Sequence, residues 1–443
     1  MTRLCLCFTF CLISAIGQAE DFSSQRLHQW HQWRGPLADG TAPHGSPPIS
    51  WDRQTNIKWQ VPVAGEGHAT PIVWGDQIFL VSAQATSRQV DRLDPPEQEP
   101  PGGYMTRRPT QFYQFRIDCL DRETGRIVWQ QIACEDLPHE GRHGTNTYAS
   151  ASPTTDGQRL FVSFGSRGLF CYDLDGNLLW KRDLGNMITR RGWGEGTSPV
   201  IHGDALIVNW DHEGESFLVV LDPATGQTRW RVERDEVTSW VTPRVVSYQG
   251  RQQLIVPATR RITSYDLETG DIIWQCGGLT TNVIPMPVIH EDLVICMSGH
   301  GGNAAVAVRL DSQGDVTNDR QQVVWRLTRD TPYVPSPILY GDLLYFTKSN
   351  TAILTSVDPK TGKTLAGNVR MPGLQNMYAS PVAANGRIYF TSREGTTLVV
   401  ENKATLEVLA TNRLDQPIDA SPAIVGDQLF LRTHDHLICI AEP

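Results

Sequence analysis

The nine-residue stretch DLETGDIIW, from Asp266 to Trp274, decides the fold because its pattern recurs along the chain. DRETGRIVW (121–129) and DPATGQTRW (222–230) have the same form, and DLDGNLLW (173–180) is one residue shorter. Aspartate, threonine and glycine in this order favour a tight turn, and the apolar residues that follow favour a short strand. The stretch therefore predicts a turn and a strand that the chain builds several times.

A second repeated element, a small residue followed by proline, precedes these turns. Apart from one long gap caused by an insertion, the prolines are spaced near 45 residues apart. The instances are Thr70-Pro71, Ser152-Pro153, Ser198-Pro199, Thr242-Pro243, Ser336-Pro337, Ser380-Pro381 and Ser421-Pro422, with Met286-Pro287 as a variant. Each proline opens an apolar run, a Gly-Asp or Asn-Gly turn and a further run, as in VWGDQIFLVS and AANGRIYFTS. Each repeat thus holds four short strands, and no segment has a helical period.

Eight repeats of four short strands predict an all-β fold, an eight-bladed β-propeller with four-stranded antiparallel blades. The last repeat, which ends in LRTHDHLICIAEP, has no fourth strand. TNIKWQVPV (55–63) carries Trp59 where a blade-ending tryptophan belongs. We therefore expect this N-terminal strand to complete the last blade and close the ring of blades without an open sheet edge. The propeller spans 55–443, and residues 20–54 form an N-terminal extension.

The first repeat contains an insert loop at about 84–112, with five prolines and no periodicity. A loop of this length is usually functional or disordered. Two interpretations remain open: the insert is a lid over one face of the propeller, or it is a mobile segment.

The N-terminus has the pattern of a secretory signal peptide. Arg3 precedes an apolar run, and Gly17 and Ala19 supply the small residues of a cleavage site, which predicts that 1–19 are removed after Ala19. No later stretch is long and apolar enough to span a membrane. The net charge of −9, with no block of like charges, argues against nucleic acid or an anionic membrane as the main partner. We expect a monomer that is exported to the periplasm or secreted.

Six cysteines follow the predicted signal peptide. Cys119, Cys171 and Cys439 occupy equivalent positions of different blades, which should lie ~10 Å apart. A disulfide needs Cα atoms within roughly 7 Å, so we interpret these three as small buried apolar residues. The sequence leaves open whether one bridge forms among Cys134, Cys276 and Cys296.

Asp-x-x-Thr-Gly followed four residues later by tryptophan resembles the tryptophan-docking motif of the pyrroloquinoline quinone (PQQ) repeat propellers. That family includes PQQ-dependent alcohol dehydrogenases and the propeller subunit of the outer-membrane β-barrel assembly machinery. The resemblance covers 55–443, although Ala366 and Ala410 replace the tryptophan in blades six and seven. It implies that the blade-ending indoles are structural and pack against the turn of the neighbouring blade. These are Trp59, Trp129, Trp180, Trp230, Trp274 and Trp325.

The alternation of turns places all the long, variable loops on one face of the propeller. We name it the mouth face, and we name the opposite face, which holds the short Gly-Asp and Thr-Gly turns, the turn face. Long loops on a rigid scaffold are where binding usually occurs. The residues just before each proline should surround the axial mouth: His68, Tyr148, Glu195, Trp240, Asn282, Tyr333, Tyr378 and Asp419. Further candidates on the loops of this face are Asp211, His212, Glu213, Arg260, His300, Lys348, Arg393 and His434.

Two short motifs on the mouth face carry several ionisable groups. In NWDHEG (209–214), Asp211 and Glu213 share one side of an extended segment and His212 takes the other, so we expect a contribution to a mouth built from several blades. HDH (434–436) places two histidines on one side, a geometry that suits zinc or copper, but no third ligand is identifiable.

These observations predict an exported propeller that binds a small ligand, a glycan or an envelope protein through the mouth face. A pure scaffold for an envelope complex is a further alternative. The family resemblance implies another, a dehydrogenase dependent on PQQ and Ca²⁺, with Glu195, Asn282 and Asp419 as ligand types and Arg260 or Lys348 for the charge of the quinone. The adjacent cysteine pair of many such enzymes and their large insertions are absent from the sequence, which argues against catalysis. The lipoprotein cysteine usual in the assembly-machinery propeller is also absent after the signal.

Overall fold

The repeats build eight sheets, which confirms the predicted eight-bladed β-propeller. The structure is a computed structural model that describes residues 21–96 and 98–442. The predicted signal peptide, 1–19, lies outside the described residues. Within them, no helix has the length and apolar character needed to cross a membrane.

Each blade consists of four strands that pair in antiparallel order, and these strands are consecutive in the chain except in blades five and eight. Blade one consists of β2 (Ile72–Trp74), β3 (Gln77–Gln89), β4 (Gln111–Asp121) and β5 (Ile127–Asp136). Blade two consists of β6 (Thr154–Thr155), β7 (Arg159–Ser163), β8 (Leu169–Asp173) and β9 (Leu178–Arg182). Blade three consists of β10 (Val200–His202), β11 (Ala205–Trp210), β12 (Phe217–Leu221) and β13 (Thr228–Glu233). Blade four consists of β14 (Arg244–Tyr248), β15 (Arg251–Pro257), β16 (Ile262–Asp266) and β17 (Ile272–Cys276).

The second half of the propeller continues the pattern, with one extra strand. Blade five consists of β18 (Val288–His290), β19 (Leu293–Ser298), β20 (Ala304–Arg309) and β22 (Val323–Leu327), and its loop strand β21 (Gly314–Asp315) adds to blade four beside β17. Blade six consists of β23 (Ile338–Tyr340), β24 (Leu343–Thr347), β25 (Ile353–Val357) and β26 (Thr364–Arg370). Blade seven consists of β27 (Val382–Ala384), β28 (Arg387–Thr391), β29 (Thr396–Glu401) and β30 (Val408–Arg413). Blade eight consists of β31 (Ala423–Val425), β32 (Gln428–Arg432), β33 (His436–Ile440) and β1 (Ile57–Pro62).

The closure of the ring by the N-terminal strand is confirmed, because β1 pairs antiparallel with β33 and Trp59 faces Cys439 across the two strands. The helical content is small. It comprises α1 (Phe22–Gln25) and the short 3-10 turns Arg26–His28, Gly165–Arg167 and Arg190–Gly192. The six cysteines in the described ranges are all free, so no disulfide joins Cys134, Cys276 and Cys296.

The small residue before each proline forms a belt of hydrogen bonds around the axis. Its hydroxyl accepts the backbone N–H of the equivalent residue in the preceding blade, as in Thr70 N to Ser152 Oγ at 2.9 Å and Ser152 N to Ser198 Oγ at 2.9 Å. Four further links of the same kind follow along the chain. The belt has no link onto Met286, which has no hydroxyl, and Thr70 Oγ1 has no hydrogen-bond partner among the described residues.

Five of the six blade-ending indoles lie against the turn of the next blade. Trp180, for example, donates from Nε1 to the Pro223 carbonyl at 3.0 Å and packs against Gly226, whose φ of +69° places it in the left-handed region. Trp59, Trp129, Trp230 and Trp325 make the equivalent contact. Trp274 differs: its Nε1 lies 3.3 Å from Gln253 Oε1 of its own blade. The reason is that blade five has no Thr-Gly turn and its loop forms β21 instead.

The N-terminal extension lies on the turn face and enters the axis. Its backbone forms bridges with Val73 of blade one and Ala383 of blade seven. Ser46 N donates to the carbonyl of Gly426, in the Gly-Asp turn of blade eight, at 2.7 Å. The extension therefore ties together blades that are far apart in sequence.

The insert of blade one is shorter than the sequence pattern indicates, because β3 continues to Gln89 and β4 begins at Gln111. Met105 N donates to the Arg191 carbonyl at 2.9 Å, and Thr106 Oγ1 donates to the Gly192 carbonyl. The insert thus packs over the loop that connects blades two and three. None of its described residues lines the axial cavity.

Candidate functional site

A cavity of about 360 Å³ lies on the axis at the mouth face. The inner strands begin there, so the residues before the prolines surround it. Six of the eight residues predicted for this position line the cavity: His68, Glu195, Trp240, Tyr333, Tyr378 and Asp419. Tyr148 instead lines a small neighbouring cavity of about 40 Å³, and Asn282 is buried while Ile284 takes the place on the wall.

The floor of the axial cavity is formed by the N-terminal extension. Trp33 lines the cavity, and the buried Arg34 beside it donates to the carbonyls of Pro337 and Pro381, both at 2.7 Å. Burial lowers the pKa of Arg34 to about 10, so the guanidinium stays charged at neutral pH. The two residues close the channel through backbone acceptors of blades six and seven. Sequence reasoning missed them because the extension carries no repeat; a Trp-Arg-Gly-Pro run was the only signal.

Aromatic rings make up much of the wall. Trp193 and Trp240 stack with their ring centroids 6.5 Å apart, and Trp240 Nε1 donates to the Gly194 carbonyl at 2.6 Å. His300 lies 4.8 Å from Tyr333 and packs edge-on against Trp193. These contacts fix the orientation of the rings before any ligand arrives. Trp193 was not among the residues predicted to surround the mouth, because it lies inside the Gly-rich GWGEG segment and not directly before a proline.

Glu195 lies between the axial cavity and the small neighbouring cavity. Its carboxylate accepts hydrogen bonds from Ser166 N, at 2.7 Å, and from the Ser166 hydroxyl. It also lies directly against Gly165, where a Cβ atom would come within 1.4 Å of Glu195 Oε2. Together with its φ of +54°, in the left-handed region, this contact favours glycine at position 165 while Glu195 keeps its orientation.

Glu140 and His139 complete a buried cluster with Glu195. Glu140 accepts from Thr189 N at 3.1 Å and from Thr189 Oγ1 at 2.6 Å. Burial, with the nearby Glu195 charge, raises the pKa of Glu140 to about 8, so it holds a proton at neutral pH. His139 Nε2 donates to the Met187 carbonyl at 2.5 Å, which occupies the nitrogen that faces the carboxylates. The cluster is thus suited to share a proton and poorly suited to bind a metal ion.

A second cluster lies at the seam between blades eight and one. Asp419 Oδ2 lies 3.0 Å from His434 Nε2 and 3.5 Å from His68 Nε2. Arg393 Nε donates to Asp419 Oδ1 at 2.5 Å. Burial alone would raise the pKa of Asp419, but the hydrogen bonds from His434 and Arg393 hold it below its usual value. Burial lowers the pKa of His68 to about 4, so its imidazole is neutral at pH 7.

The NWDHEG motif does not reach the axial cavity. Asp211 is buried in a bidentate ion pair with Arg234, with Nε to Oδ1 at 2.7 Å. His212 accepts from Ile188 N at 3.1 Å and lines an outer pocket beneath the insert of blade one. Glu213 accepts from Thr238 Oγ1 at 2.9 Å. We expected these three residues to contribute to the mouth. Their hydrogen bonds instead hold the loops of blade three in place.

Two predicted cations also lie outside the cavity. Arg260 is exposed and pairs with Asp235, and Lys348 is exposed and pairs with Asp330 at 2.9 Å. Of the predicted residues on the variable loops, His300 alone lines the cavity, and Arg393 and His434 belong to the seam cluster behind Asp419.

The cavity residues do not fit the PQQ and Ca²⁺ that the family resemblance implies. PQQ carries three carboxylates, whereas the described lining residues comprise two carboxylates, three histidines and no lysine or arginine. Glu195 and Asp419, two of the expected calcium ligands, belong to separate clusters, and each is already hydrogen-bonded within its own. Asn282, the third, does not line the cavity.

Comparisons with known proteins agree with the fold. BamB from Moraxella catarrhalis has a TM-score of 0.56 at 12% identity, over 86% of this chain and 98% of that one. Quinohemoprotein alcohol dehydrogenase from Comamonas testosteroni has a TM-score of 0.60 at 9% identity, over 94% of this chain and 81% of that one. Quinohemoprotein alcohol dehydrogenase ADHIIG from Pseudomonas putida HK5 has a TM-score of 0.60 at 10% identity, over 95% and 82%.

At these identities the structural likeness concerns the fold alone. A comparison with curated protein sequences gives no match. The family model described as outer membrane protein assembly factor BamB matches residues 114–368, more than half of the chain. With its Asp-x-x-Thr-Gly turns and docked indoles, the chain belongs to this family of PQQ-like propellers.

Proposed function

We propose that this chain is an exported β-propeller, periplasmic or secreted, that binds a small neutral glycan in the axial cavity of the mouth face. The observation that carries the proposal is the aromatic cavity itself, closed below by Trp33. Its volume of about 360 Å³ lies at the lower end of the range of ligand pockets, which is ~300–1,000 Å³. A mono- or disaccharide is of suitable size.

The chemistry of the wall supports a sugar. The C–H bonds on one face of a sugar ring pack well against the electron-rich face of an indole, which Trp33, Trp193 and Trp240 present. Sugar hydroxyls need acceptors and donors at the edge of the ring. The Glu195 carboxylate has acceptor capacity beyond the two hydrogen bonds from Ser166, and Asn146, whose Nδ2 donates to the carbonyls of Trp193 and Glu195, lines the wall beside it.

The charge of the wall supports a neutral ligand. Two carboxylates line the cavity, and Arg393, beside one of them, is engaged by Asp419. An anionic ligand would meet these carboxylates on a wall whose described residues include no lysine or arginine. A neutral polyol meets no such penalty.

The test is a binding screen. Purified protein is heated with a panel of mono- and oligosaccharides, and each compound that raises the unfolding midpoint is measured by isothermal titration calorimetry. Trp240→Ala should weaken the affinity for such a sugar at least about tenfold, because it removes a central aromatic contact. Lys348→Ala, outside the cavity, is the control and should bind as the wild type does. Equal affinity of Trp240→Ala and wild type would refute the proposal.

The dehydrogenase dependent on PQQ and Ca²⁺ stays a second candidate, supported by the indole floor and by the fold of the quinohemoprotein dehydrogenases. The wall of the cavity argues against it, because its described residues include two carboxylates and no lysine or arginine to pair with the carboxylates of PQQ. Adding PQQ and Ca²⁺ in the same screen separates the two: a shift of the quinone absorbance with dye reduction by an alcohol would favour the enzyme.

The description of the family as an outer-membrane assembly factor supports the remaining alternative, a scaffold for envelope proteins. A scaffold of this kind would capture an envelope protein from cell extract, and Trp240→Ala in the axial cavity would leave that capture unchanged.

A further inference from the structure

The seam cluster, His68, Asp419 and His434, brings together three side chains with metal-ligating atoms from the first and last blades of the propeller. His68 precedes β2 in blade one, Asp419 precedes β31 in blade eight, and His434 lies between β32 and β33 of blade eight. The partner of His434 is thus His68, which follows β1 in the chain, and not the adjacent His436.

The distances match those of a metal site. Two ligand atoms that each lie about 2.1 Å from a tetrahedral zinc ion are about 3.3 Å apart. In the structure, Asp419 Oδ2 lies 3.0 Å from His434 Nε2 and 3.5 Å from His68 Nε2. All three ligand atoms lie within 4.8 Å of one another. Both Nε2 atoms therefore approach the same carboxylate oxygen. The ring centroids of the two imidazoles are 5.4 Å apart, at an interplanar angle of 25°.

The neighbours of the cluster hold this arrangement. Arg393 holds the carboxylate of Asp419 in a bidentate pair, with Nε donating to Oδ1 at 2.5 Å and Nη2 donating to Oδ2 at 3.1 Å, and so fixes its orientation beside the imidazoles, as outer-shell partners of metal ligands commonly do. Without an ion, two imidazoles compete for one carboxylate oxygen. An ion between them would satisfy all three groups.

The geometry points to a binding site for a first-row divalent cation, with Zn²⁺ as the best fit, made by His68, Asp419 and His434. Two imidazoles and one carboxylate are a ligand set that zinc accepts with its fourth position open. That position faces a gap of about 540 Å³ lined by Glu66, Asn146 and Asp435, which has room for water or a small ligand. Because Arg393 brings a positive charge close to the ion, the site should bind zinc more weakly than a closed four-ligand structural site.

The position of the site predicts a stabilising effect. The ion would join blade eight to blade one, where the last blade of the propeller meets the first. A cation that binds the folded protein and not the unfolded chain raises the unfolding midpoint in proportion to the logarithm of its concentration. The site shares His68 and Asp419 with the wall of the axial cavity, but the proposed binding of a glycan needs no metal.

The experiment uses the chelator-treated, full-length protein and ZnCl₂ alone in isothermal titration calorimetry. We expect binding of one ion per chain, a rise of the unfolding midpoint, and visible absorption bands of four- or five-coordinate Co²⁺ when cobalt replaces zinc. His434→Gln and His68→Gln should each weaken zinc binding at least about tenfold and abolish the cobalt bands. His436→Gln, at the first residue of β33 and outside the cluster, is the matched control and should bind as the wild type does.

Two results would overturn the proposal. One is zinc binding of equal affinity in wild type and in the His68→Gln/His434→Gln double variant, which would place the ion elsewhere. The other is the absence of both binding heat and cobalt bands in wild type. Circular dichroism melting of each variant shows whether it is folded, and His434→Gln, at a largely exposed position, keeps the test valid if His68→Gln does not fold.

Discussion

At the scale of single residues, the ionisable groups of the mouth face divide into structural and available ones. Asp211 belongs to the first class: it forms a bidentate ion pair with Arg234, accepts from Ser239 Oγ at 2.7 Å, and is fully buried. Arg234 also donates to the Tyr265 hydroxyl at 2.6 Å. The sequence reveals the three ionisable residues of NWDHEG but not where the Asp211 side chain points, because that depends on Arg234, which lies two strands further along, directly after β13.

We predict that Asp211→Ala lowers the free energy of unfolding by about 3–5 kcal/mol, because it leaves the Arg234 guanidinium buried and unpaired. Chemical denaturation measures the loss. The double variant Asp211→Leu/Arg234→Met should lose clearly less, since neither charge is then buried alone. A loss below ~1 kcal/mol in Asp211→Ala would contradict the structural role.

Glu140 gives a pH dependence with a definite sign. Its pKa of about 8 in the folded protein is above the value of an exposed glutamate, so the folded state holds a proton that the unfolded chain releases. The stability from this group is complete below pH ~4.5 and is lost as the pH rises through about 8. Glu140→Gln keeps one oxygen that accepts from Thr189, places an amide donor in the position of the other oxygen, and removes this loss.

We therefore expect Glu140→Gln to match wild type in stability at pH 5 and to exceed it at pH 9, on the order of 2 kcal/mol. Thermal unfolding over this pH range measures the difference. Glu215→Gln, at an exposed position, is the control and should show no such trend. A constant difference between Glu140→Gln and wild type at all pH values would show that the proton is not held at Glu140.

At the scale of elements, the repeated small residue before proline has a physical reason. The hydroxyl of Ser152 accepts the N–H of Thr70, and the next blades repeat this contact. The recurrence made blade number and strand order predictable, because each blade obeys the same packing. The exception at Trp274 was not predictable, since it depends on β21, a strand of two residues donated by the neighbouring blade.

Two hydroxyls of the belt can be compared directly, because Ser152 Oγ accepts a hydrogen bond from Thr70 N while Thr70 Oγ1 has no partner among the described residues. Ser152→Ala should lower the free energy of unfolding by about 1–3 kcal/mol, because it leaves the buried Thr70 N–H without its acceptor. Thr70→Val removes a hydroxyl that has no partner, and should be neutral or slightly stabilising. Urea denaturation of both variants decides: equal losses would mean that the belt contributes no hydrogen-bond energy.

At the scale of the whole molecule, two devices close the propeller. The pairing of β1 with β33 was predictable from the missing fourth strand of the last repeat together with Trp59. The closure of the axis by Trp33 and Arg34, at the floor of the cavity, was not predictable, because the extension has no repeat and the contacts of Arg34 reach blades six and seven. The meeting of His68 with His434 likewise follows only from the closed ring of blades.

The central claim is that the axial cavity above Trp33 is the ligand site of this protein. The most direct measurement is a crystal structure of the protein soaked with the sugar that gives the largest thermal shift. We predict electron density for one sugar against Trp33, Trp193 and Trp240, within hydrogen-bonding distance of Glu195 or Asn146. A sugar bound on the turn face or on the outer strands, with the axial cavity free of it, would show that the axial cavity is not the ligand site.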